Sequence, residues 1–315
     1  MIQALAPVHA IDDCTGLAEL PSEVVRELVS LAASMKRRGR FGSDRPLAGR
    51  SVAMLFEKPS LRTRTTFEVG IHQLGGQAIY LSKDEVKLGV REPVADVARN
   101  LERWVDMIVV RTFAHATVLK LAEHASVPVI NALSDHEHPC QALADMLTIE
   151  EQLGGLRGAT LAYIGDGNNV AHSLLHAGAA LGLNVRIATP PGYEPDREVV
   201  AAATRRALST GSTISLTNDP AEAVEGAQAV YTDVWTSMGS EAESARRLVT
   251  FDGYRVDEAL MAGAAPGALF MHCLPAHRGE EVSAAVIDGQ ASVVFDQAEN
   301  RLHAQKALMT LLMQH

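Results

Sequence analysis

Short runs of β-branched and apolar residues alternate with stretches of helical periodicity along almost the whole chain, and this alternation restricts the fold more than any other feature. A strand followed by a helix and then another strand returns parallel to the first, so the pattern specifies βαβ units and a parallel sheet covered on both faces. In the first half, strands are expected at 51–56, 77–81, 107–111 and 127–131, with helices near 65–74, 94–104 and 117–125. A long helix is expected over 138–152, where Leu143, Met146 and Leu147 fall at helical spacing before Gly154-Gly155. The strand pattern then restarts at 160–164, 184–188, 213–217, 229–232, 269–272 and 292–295. The chain closes on a helix over 300–313, whose Ala304, Ala307, Leu308, Leu311 and Leu312 form one apolar stripe that must pack on something. A length of 315 residues suits two domains of ordinary size. The expected class is α/β, two doubly wound parallel-sheet domains covering 1–137 and 153–299, joined through the helix 138–152.

The segment Pro59-Ser60-Leu61-Arg62-Thr63-Arg64-Thr65-Thr66-Phe67-Glu68 concentrates hydroxyls and guanidinium groups where a helix should begin after the first strand. Pro59 breaks the strand into a turn, and Ser60 is a suitable N-cap. The backbone N–H groups of Leu61, Arg62 and Thr63 would then point at one spot, where the helix dipole favours negative charge. With Arg62 and the Thr63 hydroxyl beside them, the segment is a socket for a phosphate. An ordinary capped helix with a basic first turn is the bland alternative, but cations at a positively polarised helix start are poorly placed unless an anion answers them.

The net charge of −10 argues against a general nucleic-acid or anionic-membrane surface, so phosphate affinity has to come from such a local site. Cys14, Cys140 and Cys273 are widely spaced, which suits a reducing, cytoplasmic compartment and no disulfide framework. The N-terminus has no basic region of the signal-peptide kind, and the longest uncharged apolar stretch, 259–271, is interrupted by Gly263, Pro266 and Gly267 and is too short to span a bilayer.

Other clusters fall at predicted strand ends, the edge where open α/β sheets bind ligands. Arg111 follows the third strand and suits an anion or a carbonyl oxygen. The run Asp135-His136-Glu137-His138-Pro139-Cys140-Gln141 offers imidazoles, carboxylates and a thiol, but residues this close in a turn do not converge on one tetrahedral ion. His138 and Gln141 instead lie one helical turn apart, placed to hydrogen-bond a carbonyl oxygen and an amide. Gly165-Asp166-Gly167-Asn168-Asn169-Val170 begins like a dinucleotide fingerprint, yet Val170 replaces the third glycine and the next strand ends in Thr189-Pro190 rather than an acid. Asp233, ahead of Ser237-Met238-Gly239, can receive an ammonium group, or can be a solvated loop acid. Cys273, in His272-Cys273-Leu274-Pro275, is open to three readings: nucleophile, small core residue, or polar aid to an amine. Arg301 sits near the start of the last helix and could reach the anion site.

Taken together, Ser60-Leu61-Arg62-Thr63-Arg64, His138-Pro139-Cys140-Gln141, Gly165-Asp166-Gly167-Asn168-Asn169, Asp233 through Gly239, His272-Cys273-Leu274-Pro275 and Glu299-Asn300-Arg301 resemble the carbamoyltransferases, most closely the ornithine carbamoyltransferases, over nearly the whole chain. The resemblance implies a carbamoyl phosphate domain over 1–137, with the C-terminal helix 300–315 packing back on it, and an ornithine domain over 153–299. It implies a homotrimer with active sites at subunit interfaces. Carbamoyl phosphate would be held by Ser60, Leu61, Arg62, Thr63, Arg111, His138, Pro139, Cys140, Gln141, Cys273, Leu274 and Arg301. Ornithine would be held by Asn169, Asp233, Ser237 and Met238, with Arg62, Arg111, His138, Asp233 and Cys273 as the catalytic set. Two positions depart from the common pattern: Leu61 stands where many members carry threonine, and Lys87, also counted among the carbamoyl phosphate ligands, stands where many carry a glutamine that reaches the neighbouring subunit's phosphate, a role lysine can fill as a point charge.

The implied reaction is attack of the neutral δ-amine of ornithine on the carbonyl carbon of carbamoyl phosphate, giving citrulline and phosphate in arginine metabolism, with no cofactor and no metal. Arg111, His138 and Thr63 would polarise the carbonyl oxygen while Arg62 and the helix terminus stabilise the departing phosphate. Two other classes stay open on sequence: a nicotinamide-dependent oxidoreductase, motivated by Gly165-x-Gly167, and a non-catalytic carbamoyltransferase-like subunit.

Overall fold

The computed structural model describes residues 11–39, 45–236 and 243–314. The chain divides into two compact units, the first made of residues up to 143 together with those from 300 onward, the second of residues 144–299.

In the first unit the elements run α1 (Ser22–Arg38), β1 (Ser51–Phe56), α2 (Leu61–Gln73), β2 (Gln77–Ser82), the single turn α3 (Lys83–Val86), α4 (Val94–Leu101), β3 (Met107–Arg111), α5 (His115–His124) and β4 (Val129–Leu133). All pairings are parallel, in the order β2-β1-β3-β4. The central strands β1 and β3 are apolar almost throughout because both of their faces are covered. One side of this sheet packs on Val97, Ala98, Leu101, Val118 and Leu121 from α4 and α5.

The helix α6 (Pro139–Leu153) starts in this unit and crosses the division after Leu143. The second unit continues with β5 (Thr160–Ile164), α7 (Asn169–Leu181), β6 (Asn184–Ala188), α8 (Arg197–Thr210), β7 (Ile214–Thr217), α9 (Pro220–Val224) and β8 (Ala229–Thr232). It ends with α10 (Ser244–Thr250), α11 (Glu258–Met261), β9 (Leu269–His272), α12 (Ala284–Ile287) and the start of α13 (Val294–Leu312). Its strands are again all parallel, in the order β7-β6-β5-β8-β9.

Both sheets have a topological switch point. The chain moves outward from β1 to β2 and then returns to the other side of β1 with β3; in the second unit it moves outward from β5 to β7 and returns beside β5 with β8. Loops leaving the carboxyl ends of the two strands at a switch part in opposite directions and leave a crevice, the usual ligand position in open α/β sheets. The residues at these ends are 57–63 and Arg111 in the first unit, and 165–168 and Asp233 in the second.

The C-terminal helix packs on the first unit. A Cβ at Gly70 of α2 would lie 3.2 Å from Lys306 Cγ and 3.3 Å from Met309 Cε of α13, so the absence of a side chain there permits the close approach. Lys306 Nζ donates to Gln73 Oε1 at 3.0 Å across the same contact.

Two expectations are corrected, and one element is added. The strand expected at 127–131 is Val129–Leu133, because Pro128 has no N–H for the ladder and Val129 N–H is taken by the Asp13 carboxylate at 2.7 Å. The strand expected at 292–295 does not form. Ser292 makes only an isolated bridge to Phe270, after which Val294 begins a helix of 19 residues. The Gln297 side chain of that helix occupies the ladder partner's place by accepting from His272 N–H at 3.0 Å. The amphipathic α1, which buries Val24, Val25, Leu28, Val29 and Ala32, had no counterpart in the sequence reading.

Candidate active site

At the first switch point, β1 leads through Glu57 to Ser60 into α2. Ser60 is the N-cap of α2: its backbone is extended and its Oγ accepts from Thr63 N–H at 3.1 Å. This corrects the expectation of three free amides, since the amide of Thr63 is held by the cap while those of Leu61 and Arg62 belong to the first turn, which has no intrahelical acceptors. Leu61 is 76 % exposed, so its side chain packs on little. Arg64 faces away, its Nε donating to Glu68 Oε1 at 2.9 Å and its guanidinium stacked 3.6 Å from the Tyr80 ring centroid.

Behind Ser60 the Thr63 side chain is buried and meets Arg301 of α13. Arg301, 2 % exposed, donates from Nη2 to Thr63 Oγ1 at 3.0 Å and from Nη1 to Gln141 Oε1 at 2.5 Å. A guanidinium only donates, so these two bonds set the polarity of both partners. The Thr63 hydroxyl hydrogen is directed elsewhere, and the opposite end of the Gln141 amide is a donor. Arg301 thus turns two neutral side chains into oriented donors.

His138 caps α6, its carbonyl accepting from Gln141 N–H at 3.0 Å and from Ala142 N–H at 3.2 Å. Its imidazole is almost fully buried, and burial, followed by the guanidinium charges of Arg301, Arg111 and Arg62, holds its pKa well below 6.5. The ring is therefore neutral near neutral pH and presents one donor and one acceptor. Arg111, at the end of β3, is 5 % exposed. The structure therefore brings Arg62, Thr63, Arg111, His138, Gln141 and Arg301 together in one unit.

The other side chains of 135–140 are engaged elsewhere. Asp135 Oδ1 accepts from His115 N–H at 2.8 Å, and Glu137 Oε2 accepts from Leu17 N–H at 3.0 Å. Cys140 Sγ donates to Asn131 O at 3.7 Å, and burial pushes the Cys140 thiol up to about 12. A contact by residue 140 with any ligand is therefore through its backbone. Pro139 is the first residue of α6. Lys87 is exposed on the turn after α3 with φ 48°, in the left-handed region. One buried residue escaped the sequence reading: Lys58, next to the socket, lies 8 % exposed with Nζ 4.3 Å from the Phe113 ring centroid. A lysine immediately before Pro59-Ser60 was the available signal.

At the second switch point the carboxylate of Asp233 is the centre. Its Oδ1 accepts from Val234 N–H at 2.8 Å and from Cys273 Sγ at 2.9 Å, and its Oδ2 accepts from Asn168 Nδ2 at 2.9 Å. Asn168 touches Asp233 and also caps α7, its Oδ1 accepting from Val170 N–H at 2.9 Å. Asn169 opens α7 beside it. Gly167 is explained by packing: a Cβ there would lie 2.2 Å from Pro195 N. Arg247 of α10, also missed, donates from Nη1 to Asp166 Oδ2 at 2.7 Å and to Trp235 O at 2.8 Å, tying the glycine turn to the segment after Asp233. Ser237 and Met238 lie outside the described residues.

Cys273 follows β9 and is partly exposed. Leu274 after it has φ 58°. Its N–H donates to His272 Nδ1 at 2.8 Å, while His272 Nε2 lies 3.2 Å from Glu281 Oε1. Asp233, His272 and Cys273 each place a ligand-type atom within 4.8 Å of the others. Both ring nitrogens of His272 are already engaged, so this trio is better described as a hydrogen-bonded support than as a metal cradle. Among the described residues no helix is long and apolar enough to cross a membrane.

Comparison with known proteins agrees in both units. The family model for the carbamoyl-P binding domain of aspartate/ornithine carbamoyltransferase matches residues 13–151, and that for the Asp/Orn binding domain matches residues 157–312. An ornithine carbamoyltransferase of Symbiobacterium thermophilum is 54 % identical over 302 residues, 96 % of this chain and 97 % of the relative. One from Methanothermobacter thermautotrophicus is 56 % identical over 289 residues, 92 % of this chain and 95 % of the relative. The solved structure of ornithine carbamoyltransferase from Pyrococcus furiosus superposes with a TM-score of 0.93 at 49 % identity, covering 96 % of this chain and 97 % of that one. With both family models matched over almost its whole length, the chain belongs to the aspartate/ornithine carbamoyltransferase family.

Proposed function

We propose that this protein is an ornithine carbamoyltransferase, transferring the carbamoyl group of carbamoyl phosphate to the δ-amine of L-ornithine to give L-citrulline and phosphate. The observation that carries the reading is the convergence of Arg62, Arg111 and Arg301 on the neutral imidazole of His138, beside the amide-lined N-terminus of α2. Such a site suits a small dianion with a polarisable carbonyl group. Arg62, Ser60, Thr63 and the Leu61 amide hold the phosphate. Arg111, His138 and the oriented Thr63 hydroxyl draw electron density from the carbonyl oxygen as the δ-amine attacks. Gln141 and Arg301 fix the geometry of this donor set, and Pro139 and Cys140 contribute backbone at the start of α6.

In the second unit, Asp233 and Cys273 receive and orient the amine, with Asn169, Ser237 and Met238 around the amino acid. Leu274 offers its backbone to the carbamoyl group. A proton leaves the attacking nitrogen as the tetrahedral centre forms, and a phosphate oxygen is its acceptor; collapse then breaks the C–O bond and releases phosphate. No cofactor takes part. The active assembly in this reading is a cytoplasmic homotrimer in which Lys87 serves the neighbouring subunit's phosphate site as a point charge.

Acceptor specificity tests the assignment. Purified protein supplied with carbamoyl phosphate should form product with L-ornithine and show less than about one-hundredth of that kcat/KM with L-aspartate or putrescine. Preference for aspartate, or NADH binding without carbamoyl transfer, would defeat it.

A further inference from the structure

The turn after β9 presents Cys273 to Asp233, yet neither residue explains why the turn holds its shape. Leu274 has φ 58°, a region that residues other than glycine and asparagine seldom occupy and that persists only when the surroundings enforce it. The enforcing contact is Leu274 N–H donating to His272 Nδ1 at 2.8 Å. An amide N–H can only donate, so Nδ1 must carry no hydrogen, and in a neutral imidazole the hydrogen is then on Nε2.

Glu281 selects that arrangement. Its Oε1 lies 3.2 Å from His272 Nε2, and both side chains are fully buried. The same oxygen accepts from His277 N–H at 2.6 Å, closing the far end of the turn. Glu281 is itself fixed by its backbone, whose carbonyl accepts from Val256 N–H at 2.9 Å, and His272 N–H is anchored to Gln297 Oε1. A buried acceptor at Nε2 disfavours the other tautomer, which would set an Nδ1–H against Leu274 N–H and leave the carboxylate facing a lone pair.

We infer that Glu281 is a positioning residue for carbamoyl transfer: acting through His272, it locks the tautomer that holds Leu274 in its left-handed conformation and thereby aims Cys273 at Asp233. Glu281 does not touch the reacting atoms. The inference rests on the proposed function for its kinetic readout, but the hydrogen-bonded brace stands apart from it.

The test uses the full-length protein and its Glu281→Ala, His272→Leu and His272→Asn variants, with the double variant His272→Asn/Glu281→Ala. The Asn amide oxygen occupies the place of Nδ1 and accepts from Leu274 N–H without needing Glu281. Glu281→Ala should lower kcat for citrulline about tenfold or more while the carbamoyl phosphate KM stays within about threefold. Amide exchange, followed by mass spectrometry, should speed up in the peptide spanning 272–281. His272→Asn should exceed His272→Leu in kcat, and adding Glu281→Ala to His272→Asn should cost less than about threefold.

An unchanged kcat in Glu281→Ala, or the same loss in both backgrounds, overturns the inference. If Glu281→Ala does not fold, equal activities of His272→Leu and His272→Asn overturn it. Absence of citrulline from the unsubstituted protein would count against the functional reading alone. The brace is then judged by exchange: slow exchange of Leu274 that His272→Leu accelerates and His272→Asn restores supports it, and no change refutes it.

Discussion

At the scale of single residues, the site is organised by what each polar group is prevented from doing. Arg301 donates to Thr63 and Gln141 and so compels both to act as donors elsewhere. His138 is held neutral by burial and by three guanidinium groups, which ties chain stability to pH. Unfolded, this histidine takes up a proton near pH 6.5; folded, its pKa lies well below that, so stability is lost as pH falls below about 6.5. His115, also lowered chiefly by burial, contributes with the same sign. A His138→Gln variant should therefore show a shallower loss of stability between about pH 6.5 and 5, by up to about 1.4 kcal/mol per pH unit, in denaturant titrations at stepped pH. Parallel pH profiles for the two proteins would contradict the neutral-imidazole assignment. Leu61 supports a prediction of the opposite kind. Its side chain is largely exposed, and if its amide is what meets phosphate, Leu61→Thr should change the carbamoyl phosphate KM by less than about threefold and stability by less than about 0.5 kcal/mol.

At the scale of elements, the close approach of the turn after β5 to the 193–195 loop decides what Gly167 is for. Gly167→Ala sets a Cβ against the backbone at Pro195 and Glu194, so it should destabilise the fold by about 1–3 kcal/mol and raise the ornithine KM, read by thermal melts and initial rates. An unaltered melting temperature would show that the turn has room. The parallel strands were the most legible elements: β1, β3, β5, β6, β8 and β9 have the limits expected from the sequence, because strands buried on both faces are written mostly in apolar residues, with β6, whose Asn184 and Arg186 are only half-buried, the exception. In the run Val293-Val294-Phe295 the composition is the same, but Val294 and Phe295 belong to a helix, since Gln297 supplies by side chain the bond that a tenth strand would have made by backbone. Motif chemistry singled out Asp233 and Cys273, which the structure joins by a hydrogen bond, whereas the contact of Asn168 with Asp233 and the His272–Glu281 pair, nine residues apart across an irregular loop, have no periodic signature.

At the scale of the whole molecule, each unit carries its chemistry at its own sheet's switch point, and the two chemistries differ in sign. The first gathers guanidinium groups and helix amides; the second centres on a carboxylate. A chain with a net charge of −10 therefore attracts phosphate through local placement rather than overall field. The homotrimeric reading predicts a solution mass near three times the 33.7 kDa chain in light scattering, unchanged on dilution into the assay range. A monomer with full activity would contradict it. The most direct test of the account is the rate of citrulline formation at saturating ornithine as carbamoyl phosphate is varied, for the unsubstituted protein and for Arg62→Ala. Saturable citrulline formation that falls about 100- to 1,000-fold in kcat/KM on removing the guanidinium is the predicted result. Citrulline formation absent from the unsubstituted protein, or undiminished in Arg62→Ala, would contradict it.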